Sequence, residues 1–183
     1  MNNSCLAASG TVNDLLGAMA CNINMKASAD LDDIRSFLPE DISAKGIMDA
    51  DLNVKGTLDQ FTNLDLMKTK IDGKISCKDL DVRCFDTIRV ESSKIAFDFT
   101  IPNSPTNILN EGLAKINISC TDLNADIDKM LNTTIDGLFV DVQVSNVLDS
   151  TSTLAAIVDF GFDKLDLGMY DMSVFSNNAT GRV

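Results

Sequence analysis

With 183 residues and 45% apolar content, the chain is long enough and apolar enough to fold around a sizeable core, which sets it apart from disordered segments. Its 27 acidic and 15 basic residues give a net charge of −12, which excludes the clustered positive charge that nucleic acid needs and disfavours docking of its polar face on anionic headgroups. It has no histidine, which removes the commonest general base, the commonest zinc ligand and every histidine-dependent triad.

Aromatic residues are scarce, with nine Phe, one Tyr and no Trp, so Leu, Ile, Val and Met must fill most of the interior. Cys5, Cys21, Cys77, Cys84 and Cys120 are scattered without CxxC or zinc-finger spacing. They read as apolar thiols rather than a disulfide framework or a metal site. No apolar run reaches the ~18 residues that span a bilayer. The opening MNNSCLAASGTVNDLLGAMAC lacks a basic region and is interrupted by Asp14, so it does not read as a signal peptide, although LLGAMAC loosely matches a lipoprotein cleavage site. A membrane anchor is expected only outside this chain.

In chain order, residues 1–19 are ambiguous: Leu15, Leu16 and Met19 have helical spacing, while Gly10 and Gly17 oppose it. Residues 20–28 alternate Cys21, Ile23 and Met25 with polar neighbours and predict a strand. Asp30 is a good N-cap for a two-turn amphipathic helix carrying Leu31, Ile34, Phe37 and Leu38, stopped by Pro39. A strand follows over residues 43–56, with Met48, Ala50, Leu52 and Val54 on one face. Residues 57–69 suit one helical turn and a loop. Strands are predicted at 70–84 and 87–101, the second carrying Ile95, Phe97, Phe99 and Ile101. In the first, Ile75 and Cys77 share one parity and Leu80, Val82 and Cys84 the other, so a bulge near Lys78–Asp79 is needed to keep both groups on one face.

After Pro102 and Pro105 the pattern predicts a short helix at 108–113, a strand at 115–121 with Ile116 and Ile118, and a helical turn at 126–131. Residues 134–146 place Leu138, Val140, Val142 and Val144 on one face. Residues 153–163, with Phe160, and 165–175 read as a last pair of strands, and SNNATGRV as a frayed tail. Ile71-Asp72-Gly73 is echoed by Ile135-Asp136-Gly137, a weak sign of a repeat. Many strands, few short helices and no long helical crossover predict a mainly β fold: a curved, largely antiparallel multi-stranded sheet, an open groove or taco, with a few short helices.

Chemical motifs are sparse. Asp122, Asn124 and Asp126 imitate the start of a calcium loop, but its sixth and twelfth positions hold Ile127 and Thr133, where Gly and Glu are needed. Asp49/Asp51 and Asp79/Asp81 could be taken for catalytic pairs, yet strand spacing puts each pair on a wet face without the burial that splits carboxylate pKa values. No P-loop, GxGxxG or GxSxG is present, and no cofactor or metal is expected. Asn2, Asn117, Asn132 and Asn178 fit a glycosylation sequon too short to carry weight.

Residues 31–103 contain LDDIRSFLPEDISAKGIMDADLNVKGTLDQFTNLDLMKTKIDGKISCKDLDV and then SSKIAFDFTIPN. This succession of a Leu-Pro helix end, a GxxxADLxVKG strand, a Leu-rich linker and a GKISxKDLDV strand resembles the AsmA-like family of bacterial envelope proteins. The resemblance implies a non-enzymatic body of repeated strands that shields phospholipid acyl chains in an apolar groove, for lipid transport between membranes or outer-membrane assembly. It further implies a periplasmic location, tethering to the inner membrane by a segment outside this chain, and contacts with other envelope proteins. Under it the chain is one β-rich domain and an excerpt of a longer repeat protein, with a best-matching unit at 30–103 and a looser one at 104–175. The lipid-contacting residues would be those of the alternating faces: Met48, Leu52 and Val54; Ile75, Leu80 and Val82; Ile95, Phe97, Phe99 and Ile101; Ile116 and Ile118; Leu138, Val140, Val142 and Val144; and Phe160. Two other readings remain open. The same face could be the core of a folded-over sheet, or the chain could be a structural or adhesion-type β module that binds a protein partner by a sheet edge.

Overall fold

The computed structural model describes residues 4–63, 69–101, 114–128, 130–145 and 155–183. Nine strands form one sheet in sequence order: β1 (Cys5–Asn13), β2 (Ala20–Asp30), β3 (Ile42–Thr57), β4 (Lys70–Cys84), β5 (Ile88–Ile101), β6 (Ala114–Ile127), β7 (Leu131–Ser145), β8 (Ala155–Met169) and β9 (Met172–Arg182). Every neighbouring pair is antiparallel, and β1 and β9 remain separate edges, so the sheet is open rather than a barrel. The mainly β, antiparallel expectation is met. Local turn chemistry accounts for the up-and-down order. Phe85 and Asp86, at φ 55° and 53°, are the central residues of a turn in the three-residue connection between β4 and β5, closed by the Thr87 amide donating to the Cys84 carbonyl (3.2 Å).

Among the described residues two short helices interrupt the meander. Asp30 caps the first by accepting from the Asp32 amide (3.0 Å), but the turn is a 3-10 helix over Leu31–Phe37 rather than two α-turns. Its expected apolar face is split, with Leu31 buried and Phe37 85% exposed. The second, α1 (Leu58–Thr62), is held by a capping box: the Thr57 hydroxyl accepts from the Gln60 amide and the Gln60 carboxamide from the Thr57 amide.

Four sequence expectations are corrected. Residues 5–13 form β1, and the helical spacing of Leu15, Leu16 and Met19 falls in a turn. There the Asp14 carbonyl accepts from Gly17 (3.0 Å) and Met19 (3.1 Å), and its carboxylate from the Ala18 amide. The helical turn expected at 126–131 is a hairpin, because β6 runs to Ile127 and β7 starts at Leu131. The strands expected at 153–163 and 165–175 are largely one strand, β8. The tail expected to fray is instead part of β9, and Val183 exchanges backbone hydrogen bonds with Val158 (2.9 and 3.0 Å). The helix expected at 108–113 lies outside the described residues.

The anticipated bulge is present, and it belongs to something larger. Between β3 and β4 the register shifts: Lys45 faces Asp81, whereas Ile47 faces Lys78. Asp79 sits at φ 50° and Gly46, opposite, at φ 131°. A Cβ on Gly46 would lie 2.8 Å from the Lys78 carbonyl oxygen, so both conformation and space require glycine there. From β4 onward the register then holds, because each later strand repeats the parity change at the matching level. It falls at Lys78–Asp79, Ser93–Lys94, Thr121–Asp122, Asp136–Gly137, Asp163–Lys164 and Asn177–Asn178. Gly137 and Asn178 are also left-handed, at φ 63° and 52°. The Ser93 amide and hydroxyl both donate to the Asp122 carboxylate, and the Asp163 carboxylate lies against Gly137. A crease thus crosses the sheet from β3 to β9. It lets every strand keep its apolar side chains on one face on both sides of the line.

The crease also separates the two Ile-Asp-Gly copies. Gly73 sits beneath the Phe99 ring on the apolar face, whereas Gly137 is part of the crease. The short match marks two different structural roles.

Candidate functional site

The registers bring every residue expected to contact lipid onto one face. Across the sheet, Met25, Leu52, Gly73, Phe99, Ile116, Val142 and Val158 form one transverse row. The next row is Leu6, Ala27, Ala50, Ile75, Phe97, Ile118, Val140 and Phe160. Val54 and Ile101 lie together beside Ile71, with Val144 reached through Ala114 in the same band. Met48 joins Ile95 through Cys77, and Leu138 through Cys120. Beyond the crease, Leu80 faces Ser92, and Val82 faces Ala44 and Val90.

This face is partly shielded by its own neighbours. Of the residues expected to contact lipid only Val54 is buried; Phe97 and Ile116 (each 40% exposed) and Phe160 (42%) are the most open, and the rest are half-buried. Extended contact between strands is confined to sequence neighbours, so among the described residues no strand is stacked across the face of another. The reading of this face as the core of a folded-over sheet therefore finds no second layer among them. Aromatic rings cover the weak points: Phe99 lies over Gly73 and Phe160 over Gly181, replacing side-chain packing that glycine cannot offer.

Sequence reasoning missed part of this surface. Leu6, Ala8 and Val12 of β1 share the face, as do Leu123 and Ile135 and, in β8 and β9, Leu165, Leu167 and Val174. The signal in β1 was a clean alternation, masked by the helical spacing just after it. In β8 it is the parity change at 163–164, the same mark that the sequence carries at 78–79.

The opposite face is polar and orders itself by charge. One transverse row runs Lys26, Asp51, Lys74, Asp98, Asn117, Asp141, Asp159 and Arg182. Within it Lys26 pairs with Asp51 (2.9 Å), Lys74 with Asp98 (3.2 Å) and Arg182 with Asp159 (2.6 Å), and the Asn117 amide donates to Asp141. The Arg182 guanidinium draws the Asp159 carboxyl below its ordinary range, and the Ser28 hydroxyl with Lys78 does so for Asp49. Solvent screens each exposed pair, so singly they add little to stability. Their value lies in register, since a slipped strand would break the alternation of charge. A shallow depression of about 460 Å³ on this face is bordered by Asp72, Lys74, Asp98, Lys115, Asn117 and Asp141. The Asp122/Asn124/Asp126 series is spread along β6, with Asp122 engaged by Ser93 and Asn124 by the Thr134 hydroxyl (2.9 Å). Among the described residues no group of three potential ligands is arranged to hold a metal.

Below the crease, Asp81 accepts from both Arg89 (3.1 and 3.3 Å) and Arg83 (3.2 and 3.3 Å), which hold its carboxyl down at about 2. A carboxyl lowered in the folded state stabilises above its unfolded pKa and loses that contribution as pH falls through the folded value. Asp81→Asn should therefore cost about 1 kcal/mol at neutral pH, and the gap to the parent should close between about pH 4 and 2. Urea unfolding across that range measures it.

The cysteines are all free: Cys21 and Cys120 buried, Cys77 and Cys84 half-buried, Cys5 exposed. Burial first, then the carboxylates of Asp49 and Asp79, pushes the Cys77 thiol up, which makes it less nucleophilic. Among the described residues no helix is long and apolar enough to cross a membrane. No family model matches the sequence, and no curated protein or solved structure matches it. Fold and faces define the class: an open antiparallel sheet with one apolar and one charged surface, in a single layer among the described residues.

Proposed function

We propose that the chain is a non-enzymatic segment of an AsmA-like envelope protein whose apolar sheet face shields phospholipid acyl chains during lipid transport between membranes or outer-membrane assembly. The observation that carries this reading is the apolar face itself, continuous across nine strands and left without a covering layer by the described residues. A face of that extent needs an occupant. Its Leu, Ile, Val, Met and Phe side chains suit flexible hydrocarbon, while the net charge of −12 keeps the opposite face solvated. The same reading puts the protein in the periplasm, tethered to the inner membrane outside this chain and in contact with envelope partners. Detergent-free purification followed by native mass spectrometry tests it, with a bound phospholipid mass expected.

A second reading has its own support. The β1 edge is exposed at all nine residues and could accept a strand from a protein partner.

A further inference from the structure

We infer that β1 is a self-pairing edge, through which two copies of this chain join antiparallel about a two-fold axis perpendicular to the sheet. The inference is a specific form of the edge reading and does not depend on the bound lipid.

The two edges of the sheet are built differently. β9 carries the devices that discourage pairing: the left-handed Asn178 breaks its run, and Arg182 near its end is tied to Asp159. β1, with sequence CLAASGTVN, has no charged residue and no proline. It is paired to β2 residue for residue from Cys5 to Asn13 without a register shift, so no bulge turns its free side away. In a chain of net charge −12, an edge with no charge along all nine residues lets a second copy approach without opposing like charges.

The strand is also self-complementary. Antiparallel pairing centred on Ser9 uses all nine residues, setting Leu6 against Val12 and Ala8 against Gly10 of the second copy, with Ala7 against Thr11 and Ser9 against itself. Leu6, Ala8, Gly10 and Val12 belong to the apolar face, so apolar meets apolar and polar meets polar. Leu6 and Val12, 77% and 51% exposed, would gain cover. A two-fold axis normal to the sheet keeps both apolar faces on the same side, joining them into one surface across the seam. Pairing of β1 with β9 of another copy would instead be parallel and open-ended, because β1 and β9 run in the same direction.

Sedimentation velocity of the 183-residue chain under reducing conditions tests the inference, since reductant removes any bridge through the exposed Cys5. A dimer is expected at micromolar concentration. Ala8→Pro should shift it to monomer, and Ser9→Cys in a Cys5→Ser background should cross-link across the axis on mild oxidation. Retained circular dichroism shows that the proline variant still folds. A monomer at every concentration overturns self-pairing, as do large open polymers or a dimer indifferent to Ala8→Pro. Hydrogen exchange with an added β1 peptide (Cys5 replaced by Ser) separates the two levels. Protection of β1 in a monomer keeps the edge reading while ending the dimer, and no protection in a monomer ends both.

Discussion

Gly46→Val is expected to cost about 2–4 kcal/mol, whereas Asp79→Gly should change stability by less than about 1 kcal/mol. Gly46 sits at φ 131°, a backbone that residues with a side chain rarely adopt, and a Cβ there would lie 2.8 Å from the Lys78 carbonyl oxygen and 3.1 Å from that of Asp79. Those are backbone atoms, held by the pairs Lys45–Asp81 and Ile47–Lys78 on either side, so they cannot move aside without breaking register. Asp79 is the extra residue of β4, held at φ 50°, and it lets Cys77 and Leu80 share one face. Glycine adopts that left-handed backbone readily, so its substitution keeps the crease. Urea unfolding of the two variants measures both effects. A Gly46→Val variant as stable as the parent would show that the crease is not fixed by these residues.

Phe97→Asp is expected to separate binding from folding. Phe97 is 40% exposed in the middle of a transverse apolar row, between Ile75 and Ile118. Its substitution should cost stability of about 1–2 kcal/mol, because only part of the ring is withdrawn from water. A carboxylate beneath an acyl chain would have to be desolvated or protonated, so capture of a fluorescent phospholipid should fall at least tenfold. Asp98→Asn, one residue away on the opposite face, should leave capture unchanged. Equal capture by Phe97→Asp and the parent would remove the apolar face from the function.

The sequence made the faces legible wherever alternation was uninterrupted. Residues 46–56 and 95–101 are placed by period alone, because every second side chain is apolar and turn residues bound the run. The parity change at Lys78–Asp79 was readable because Ile71 to Cys77 and Leu80 to Cys84 are each long enough to set a phase. At Asp163–Lys164 the same change was read as a break between strands, since Phe160 and Phe162 gave one phase and Leu165 and Leu167 the other. A local pattern cannot distinguish a bulge from a turn; the neighbouring strand decides, by supplying a partner on both sides of the interruption. That the six strands β4 to β9 change parity at one level is a property of registers, which alternation alone does not set. The capping box at Thr57–Gln60 is legible from its spacing alone. The helical spacing at 15–19 was misleading because Asp14 gathers those amides into a turn. Single-layer packing could not be read from sequence, since half-buried and fully buried strand faces carry the same residues.

The apolar face as a lipid surface is tested most directly by native mass spectrometry of the 19.8 kDa chain, purified without detergent from a bacterial host. The account predicts a population of the protein carrying phospholipid mass, released on collisional activation and reduced in Phe97→Asp. Protein masses free of lipid across preparations, with the fold intact, would contradict it.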